Sequence, residues 1–233
     1  MKKTLVAVGN VVCGLTILFC IYIIIKPGYV YENGTWNYVS YDESVGRRVN
    51  PINVSKDEFK ILKYNDFARD NNRIYFKSTK IEGSDPDTFQ IISKKGRYRY
   101  AKDKNNVYIY ASDDWSVYRV LKADPNSFEI LEFPYSKDKN DAFCGSLPLY
   151  VDDVTKFEVI ESTGSAIMSS VDSFLGTESD SRNMSSEYKR KKQENNRKKY
   201  GFITNWVFYS EDGKAKTDKL AYEGYRLVEE VYQ

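Results

Sequence analysis

The chain has 233 residues, of which 41% are apolar and 29% charged, a composition typical of a globular protein and not of a disordered or collagen-like one. It contains no histidine, which excludes Ser-His-Asp triads, Cys-His dyads and metal sites that need imidazole. Aromatic residues make up 15% of the chain, with 20 Tyr, 12 Phe and 3 Trp, and this bias favours β-strands.

The first predicted element is a membrane span. No charged residue occurs from Thr4 to Ile25, and a helix of that length at about 1.5 Å per residue spans about 33 Å, which matches a bilayer core. Lys2 and Lys3 precede the stretch, so the N-terminus is expected in the cytoplasm and the rest of the chain outside it. A cleaved signal peptide is the alternative, but no small residues mark a cleavage site around Cys20. Residues 1–26 are therefore predicted to be a cytoplasmic stub and a single-pass signal anchor in a bacterial cell membrane.

A first repeated element follows, in which a polar turn leads to Phe and then to an apolar residue. Its four phenylalanines recur at intervals of about 30 to 39 residues, at Phe59, Phe89, Phe128 and Phe157. Two copies begin with Asp-Pro, which supplies a side-chain acceptor at the turn start and a preset φ. The alternation of Phe-x-Ile or Phe-x-Val predicts a half-buried strand.

A second repeated element alternates with the first and predicts a hairpin. It reads Asp-x-Asn between two short apolar segments, in copies that begin at Asp70, Asp103 and Asp138. Asn72 and Asn106 are expected at positive φ, and Tyr75, Tyr108 and Tyr110 are expected on the face opposite the core. The positions assigned a structural role in the repeat are Asp70, Asn72, Tyr75, Asp103, Asn106, Tyr108, Asp138, Asn140, Asp85, Pro86, Phe89, Asp124, Pro125 and Phe128.

These elements predict a mainly β fold of stacked hairpin and strand repeats, with one transmembrane helix and one short helix near 165–199. Residues 27–160 are expected to form the repeat domain. Residues 161–199, a Ser-rich and then basic segment, are expected to be part helical. Residues 200–233 are expected to form a β-hairpin region, with a turn at 211–214, that packs on the repeat domain.

The run from Ala101 to Tyr108, with the Asp-Pro-x-x-Phe element after it, resembles the DKNYY repeat family of bacterial envelope proteins. The resemblance covers Ser55 to Ile160, and it departs from the family pattern at Ile109 and at Asn71, which replaces a lysine. It implies a bacterial source and an all-β repeat domain, and it implies no activity and no catalytic residue.

The sequence predicts no catalytic, cofactor-binding or metal-binding residue, and thus no enzyme. The adjacent carboxylates Asp113-Asp114 and Asp152-Asp153 suit glycoside hydrolysis only if both acids face one substrate, whereas neighbours in a strand point to opposite faces. No spaced Asp-x-Asp-x-Asp calcium loop is present. Cys144, the only cysteine outside the predicted span, is expected to be a small buried side chain.

Binding is the favoured function class, either of a glycan or of a protein, and nucleic acid is discounted. The residues proposed for a binding surface are Trp115, Tyr110, Lys189, Arg190, Lys191 and Lys192. The last four belong to a run with seven basic residues and one acid, Glu194, which suits either a solvated helix face or contact with an anionic surface. The sequence thus favours a membrane-anchored envelope protein that acts by binding or as a scaffold. An immunity-type inhibitor or partner of an envelope toxin is the alternative, and a carboxylate-based glycan hydrolase ranks third.

Overall fold

The computed structural model of the chain describes residues 27–62, 66–93, 96–179, 186–202 and 204–230. Side chains are described at all of these except 178, 179, 186–189, 229 and 230. The chain divides into two compact units, Met1–Ile81 and Glu82–Gln233. Both units are built of antiparallel sheets, so the fold is mainly β, as predicted.

The described part of the first unit consists of two meanders. Strands β1 (Gly28–Glu32), β2 (Thr35–Asp42) and β3 (Gly46–Ile52) form one sheet. The first repeat copy forms the other, with β4 (Lys60–Ile61), β5 (Phe67–Arg69), β6 (Ile74–Phe76) and β7 (Thr79–Ile81). Tyr29 and Tyr38 pack with Phe59 and Tyr75 in the core of this unit. The hydroxyl of Tyr29 also donates to the backbone of Asp66 at 3.0 Å, which satisfies its polar end.

The next two repeat copies begin the second unit, and each is again a four-stranded meander. The second copy contains β8 (Gln90–Ile91), β9 (Tyr98–Lys102), β10 (Val107–Ala111) and β11 (Val117–Arg119). The third contains β12 (Glu129–Ile130), β13 (Tyr135–Lys137), β14 (Ala142–Cys144) and β15 (Leu147–Pro148). The first two strands have the same register in both copies. Ile91, two residues after Phe89, lies opposite Ala101, and Ile130, two residues after Phe128, lies opposite Ser136.

A fourth copy completes the unit, but an insertion interrupts it. A 3₁₀ turn (Val154–Lys156) and β16 (Glu158–Glu161) start this copy. The inserted elements follow: β17 (Ile167–Ser170), helix α1 (Val171–Ser179), helix α2 (Ser186–Tyr200) and β18 (Trp206–Tyr209). The chain then returns to β16 with β19 (Lys214–Lys216), β20 (Leu220–Glu223) and β21 (Arg226–Glu230) in the order β16-β19-β20-β21.

The insertion fills the space between the third and fourth copies. Phe174 of α1 and Tyr200 of α2 belong to one buried cluster with Tyr135 of the third copy and Tyr222 of the fourth. Helix α2 ends with Gly201 at a φ of 65°, and the Gly201 N–H bonds the carbonyl of Arg197, a common helix terminus. The basic helix is thus held to the sheets at its C-terminal end.

Three predictions from the sequence were wrong. The tyrosines expected opposite the core are all buried, with exposed fractions of 5% for Tyr75 and 1% for both Tyr108 and Tyr110. Residues 161–199 contain two helices instead of one. Residues 211–214 do not close a hairpin, since β18 pairs with β17 and β19 pairs with β16. The predicted span, residues 4–25, lies outside the described residues. Neither of the two helices in the described part of the chain is long and apolar enough to cross a membrane.

Candidate functional site

The repeated aspartate of each hairpin is a hydrogen-bond hub. In the second copy, Asp103 accepts from the backbone N–H groups of Asn105 and Asn106 at 2.7 and 2.8 Å. Its second oxygen accepts from the Tyr108 hydroxyl at 2.7 Å and from the backbone N–H of Asp85 at 3.0 Å. The side chain therefore closes its own hairpin and ties that hairpin to the preceding turn.

The other copies repeat this arrangement with fewer bonds. Asp138 accepts from Asn140, Asp141 and Asp124, but Phe143 stands at the position of Tyr108 and supplies no hydroxyl. In the first copy, Asp70 accepts from the Asn72 N–H and from the Tyr75 hydroxyl, each at 2.7 Å. These contacts explain why Asp recurs and why Tyr recurs five residues later.

The lysine after the repeated aspartate makes an ion pair with the capped turn. Lys104 Nζ lies 2.6 Å from Asp85 Oδ2, and Lys139 Nζ lies 2.9 Å from Asp124 Oδ2. These lysines, with bonds from the neighbouring turn residues, lower the pKa of Asp85 and of Asp124 to about 2. The first copy has neither residue of this ion pair, since Ser55 stands at the position of the aspartate and Asn71 at the position of the lysine.

The phenylalanine turns serve the same scaffold. Asp85 accepts from Thr88, Pro86 follows the capping aspartate, and the ring of Phe89 lies 6.0 Å from that of Tyr108. Asp124 and Pro125 start the next turn, and Phe128 packs 5.4 Å from Tyr100 and 6.2 Å from Phe143.

The fourth hairpin was missed by sequence reasoning because it uses threonine. Thr217 Oγ1 accepts from the backbone N–H groups of Lys219 and Leu220 at 3.2 and 3.0 Å, as the aspartates do elsewhere. The ion pair is reversed, with Lys156 in the turn and Asp218 after the threonine, 3.8 Å apart. The order Ala215-Lys216 before the turn, as in Ala101-Lys102, is the signal that could have found it.

The expected positive φ at Asn72 and Asn106 is wrong. Left-handed residues instead follow the third strand in the first, third and fourth copies, at Lys77, Gly145 and Gly224, with φ of 53°, 61° and 56°. The backbone N–H of each of these residues bonds the carbonyl of the residue just before the second strand. The positive φ is therefore needed at the open end of the hairpin, where the third strand ends, and not in the turn that contains the asparagines.

The two carboxylates of each adjacent pair have separate structural partners. Asp113 pairs with Arg97 at 2.9 Å, and Asp114 accepts from the Tyr118 hydroxyl at 3.0 Å. Asp152 accepts from Thr217 at 2.6 Å, whereas Asp153 caps the 3₁₀ turn. Over the described residues, no cluster of acids and cysteines could hold a metal ion.

Of the residues predicted for a binding surface, Trp115 is 39% exposed but Tyr110 is buried, which corrects its assignment. Lys189, Arg190, Lys191 and Lys192 lie on α2, and the side chain of Lys189 falls outside the described part. Two cations of this helix have acidic partners, since Arg190 pairs with Glu194 and Arg197 pairs with Asp172.

A pocket of 410 Å³ opens where α2, the third copy and the fourth copy meet. We call it the cationic pocket, and its lining residues are Pro148, Leu149, Tyr150, Lys199, Tyr200, Leu220, Tyr222, Tyr225, Arg226 and Leu227. The lining thus contains four tyrosines and two cations and no carboxylate, among the residues that the structure describes.

Two ammonium groups lie near the ring of Tyr150, and of these two lysines Lys199 lines the pocket. Lys122 Nζ and Lys199 Nζ lie 5.1 and 4.7 Å from the centre of its ring, within range of cation–π attraction. Lys122 Nζ and the Tyr150 hydroxyl both donate to the Lys199 carbonyl, each at 2.5 Å, so the end of α2 is capped. The carboxylate of Asp141 accepts from the Tyr150 and Val151 backbone N–H groups at 3.1 and 3.0 Å. Burial and then Asp141 raise the pKa of Tyr150 to about 12.

A family model described as the DKNYY family matches the chain in two overlapping segments, residues 21–112 and 100–233. Searches of curated proteins and of solved structures gave no match.

Proposed function

The chain belongs to the DKNYY family, and on that premise we propose that it is a bacterial envelope protein that binds an anionic ligand in the cationic pocket. In this proposal residues 4–25 anchor it in the cell membrane, and the rest lies outside the cytoplasm. The copies of the second unit serve as a scaffold, and the insertion in the fourth copy supplies one wall of the pocket.

The observation that carries the proposal is the placement of Lys122 and Lys199 around one ring. The two ammonium groups lie 5.1 and 4.7 Å from the same ring centre, and no ion pair with an acid is formed by either lysine within the described residues. A ligand carboxylate or phosphate would supply a counter-charge. The capped α2 carbonyl supports the idea, because a free carbonyl at a helix C-terminus would repel an anion.

The remaining lining indicates the body of the ligand. Leu220 and Leu227 line the pocket together with Tyr200, Tyr222 and Tyr225, whose side chains are largely buried. Such a surface suits a flat apolar group or the apolar face of a sugar ring. We therefore propose an anionic group joined to a ring as the chemical class, with Lys199 as the cation that lines the pocket; the other lining cation, Arg226, pairs with Glu211 at 2.6 Å.

The test is calorimetric titration of the full-length chain in detergent with two matched pairs of probes, phenyl phosphate against benzyl alcohol and glucuronate against glucose. The charged member of at least one pair should bind, and Lys199→Met should weaken it by about tenfold or more. Lys198→Met, which removes an exposed charge from the next position on α2, is the matched control and should leave binding unchanged. Equal binding of charged and uncharged probes, or full affinity in Lys199→Met, would contradict the proposal.

The anchor has its own test. A reporter that is active only outside the cytoplasm, fused after Gln233, should be active, and the mature N-terminus should remain at or near Met1. A soluble, shortened protein would remove the anchor from the proposal and leave the pocket untouched.

A further inference from the structure

Strand β17 forms an open edge. It pairs with β18 and with no other strand among the described residues. The opposite side of β18 is occupied, because Phe208 bonds Ser146 of the third copy through both its N–H and its carbonyl. The β17–β18 ribbon is therefore closed on one side, and β17 is its outer strand.

The hydrogen bonds fix which backbone groups point outward from β17. The Val171 N–H bonds the Asn205 carbonyl at 2.9 Å, so Ser169–Val207 and Ile167–Tyr209 are the bonded pairs of the ladder. Met168, opposite Phe208, then directs its N–H and carbonyl away from β18. The bonds of Phe208 to Ser146 lead independently to the same assignment, because they require the N–H and carbonyl of Phe208 to point away from β17. Ser170 also points outward, and its carbonyl accepts from Ser169 Oγ at 3.1 Å.

This edge lacks the features that normally prevent strand addition. Ile167–Ser170 contains no charge, no proline and no register shift. In contrast, the edge strand β3 carries Arg47, Arg48 and Pro51, and the edge strand β21 contains a bulge. An unprotected edge of alternating N–H and carbonyl groups matches the backbone of an extended polypeptide.

A cleft of 300 Å³ lies beside the same strand, which we call the edge cleft. Its lining residues are Arg97, Tyr98, Ala111, Asp113, Asp114, Gly164, Ser165, Ala166, Met168 and Phe208. The small residues 164–166 lead directly into β17. Met168 is 48% exposed and Trp206, its diagonal neighbour across the ribbon, is 57% exposed. Large exposed apolar side chains around a cleft are typical of protein contact sites.

We propose that the outer edge of β17 and the edge cleft bind an extended polypeptide segment of a partner protein, which adds a strand to the ribbon and places a basic side chain in the cleft. The backbone of Met168 supplies the hydrogen bonds. The lining carries two carboxylates and one guanidinium, a net charge of −1 over the described residues, and this favours a Lys or Arg of the segment. This site goes beyond the proposed anion binding and shares no residue with the cationic pocket.

The experiment uses the full-length chain and a displayed library of random heptapeptides, followed by fluorescence polarisation with synthetic copies of the enriched peptides. Enriched peptides should contain Lys or Arg, and replacement of that residue by Glu should abolish binding. Methylation of the peptide backbone nitrogens should weaken binding by about tenfold at alternate positions only, because alternate N–H groups face the edge.

Met168→Pro removes one outward N–H and no bond to β18, so it should keep the fold and weaken binding by about tenfold or more. Met168→Ala keeps that N–H and should retain affinity to within about threefold, which separates the backbone from the side chain. Binding of whichever charged probe the cationic pocket takes should be unchanged in Met168→Pro, which distinguishes the two sites, and urea unfolding of the variant reports on its folding.

Three results would overturn the proposal. One is the absence of any enriched peptide, and another is equal sensitivity to methylation at every position. The third is self-association of the chain that Met168→Pro abolishes, which would assign the edge to a second copy of this chain.

Discussion

Removal of the hub aspartate should cost more stability in the second copy than in the third. Asp103→Ala deletes four hydrogen bonds, and Asp138→Ala deletes three. The donors that lie outside the turn also join it to other elements, so the loss depends mainly on them. The second copy has two such donors, the buried Tyr108 hydroxyl and the part-buried Asp85 N–H, whereas the third has only the part-buried Asp124 N–H.

The expected loss of unfolding free energy follows from the number of hydrogen bonds that the aspartate accepts from donors outside its own turn. A hydrogen bond to a charged group contributes about 1.5 kcal/mol at the low end of the usual range. We therefore expect a loss of about 3 kcal/mol for Asp103→Ala and about 1.5 kcal/mol for Asp138→Ala. Tyr108→Phe gives the second copy the contacts of the third and should itself cost about 1 kcal/mol.

The assay is urea unfolding of the full-length chain, with the midpoint and slope recorded for each variant. The double variant Asp103→Ala with Tyr108→Phe should be less destabilised than the sum of the single variants by about 1 kcal/mol, because both remove the same bond. Equal losses for Asp103→Ala and Asp138→Ala, or strict additivity between Asp103 and Tyr108, would refute the account of the hub.

Three further predictions concern other parts of the second unit. The lowered pKa of about 2 at Asp85 and Asp124 contributes stability that is present above a pH of about 4 and is lost as the pH falls towards 2. The double variant Lys104→Met with Lys139→Met should lose less stability than the unmodified chain between about pH 4 and pH 2, as measured by unfolding at a series of acid pH values. An equal loss in the two chains would contradict this prediction. Gly145→Ala should cost about 2 kcal/mol or more in urea unfolding, since φ is positive and the new Cβ would overlap the Phe208 carbonyl oxygen; Gly164→Ala, which meets nothing within 4 Å, should stay within about 0.5 kcal/mol. Burial raises the pKa of the Cys144 thiol to about 12, so iodoacetamide at pH 8 should label Cys144 only in denaturant. Peptide mapping separates this label from labels on Cys13 and Cys20, and rapid labelling of Cys144 in the native chain would exclude its buried position.

The repeating turns and hairpins could be predicted from the sequence because each depends on neighbouring residues. The sequence of Asp103 to Tyr108 specifies a turn, a hairpin and their connecting bonds within a few positions. The burial of Tyr108 and Tyr110 could not be predicted from neighbouring residues. Alternation assigns side chains to two faces of a strand, but whether both faces are covered depends on distant parts of the chain.

The candidate sites were beyond the sequence for the same reason. The lysines at Tyr150 come from the end of the second copy and from the end of α2, and no local pattern connects them. The edge of β17 is open only because of how β18 pairs, and the segment before the helices showed no strand pattern. Sequence reasoning placed the binding surface on Tyr110 and the start of the basic run, whereas the cationic pocket uses the last lysine of that run.

The interruption of the fourth copy explains how a repeat scaffold acquires such sites. Glu161 and Lys214 are paired residues of β16 and β19, so the ends of the insertion lie side by side and the ladder closes as if the intervening chain were a hairpin loop. Loop length at such a point costs little, because the closure entropy rises only with the logarithm of the number of residues. The hub and ion pairs recur along the copies, whereas the insertion interrupts the fourth copy. Lys199, Tyr200 and Met168 all belong to the insertion, and for that reason we assign the specific chemistry of this protein to the insertion and its structural support to the repeats.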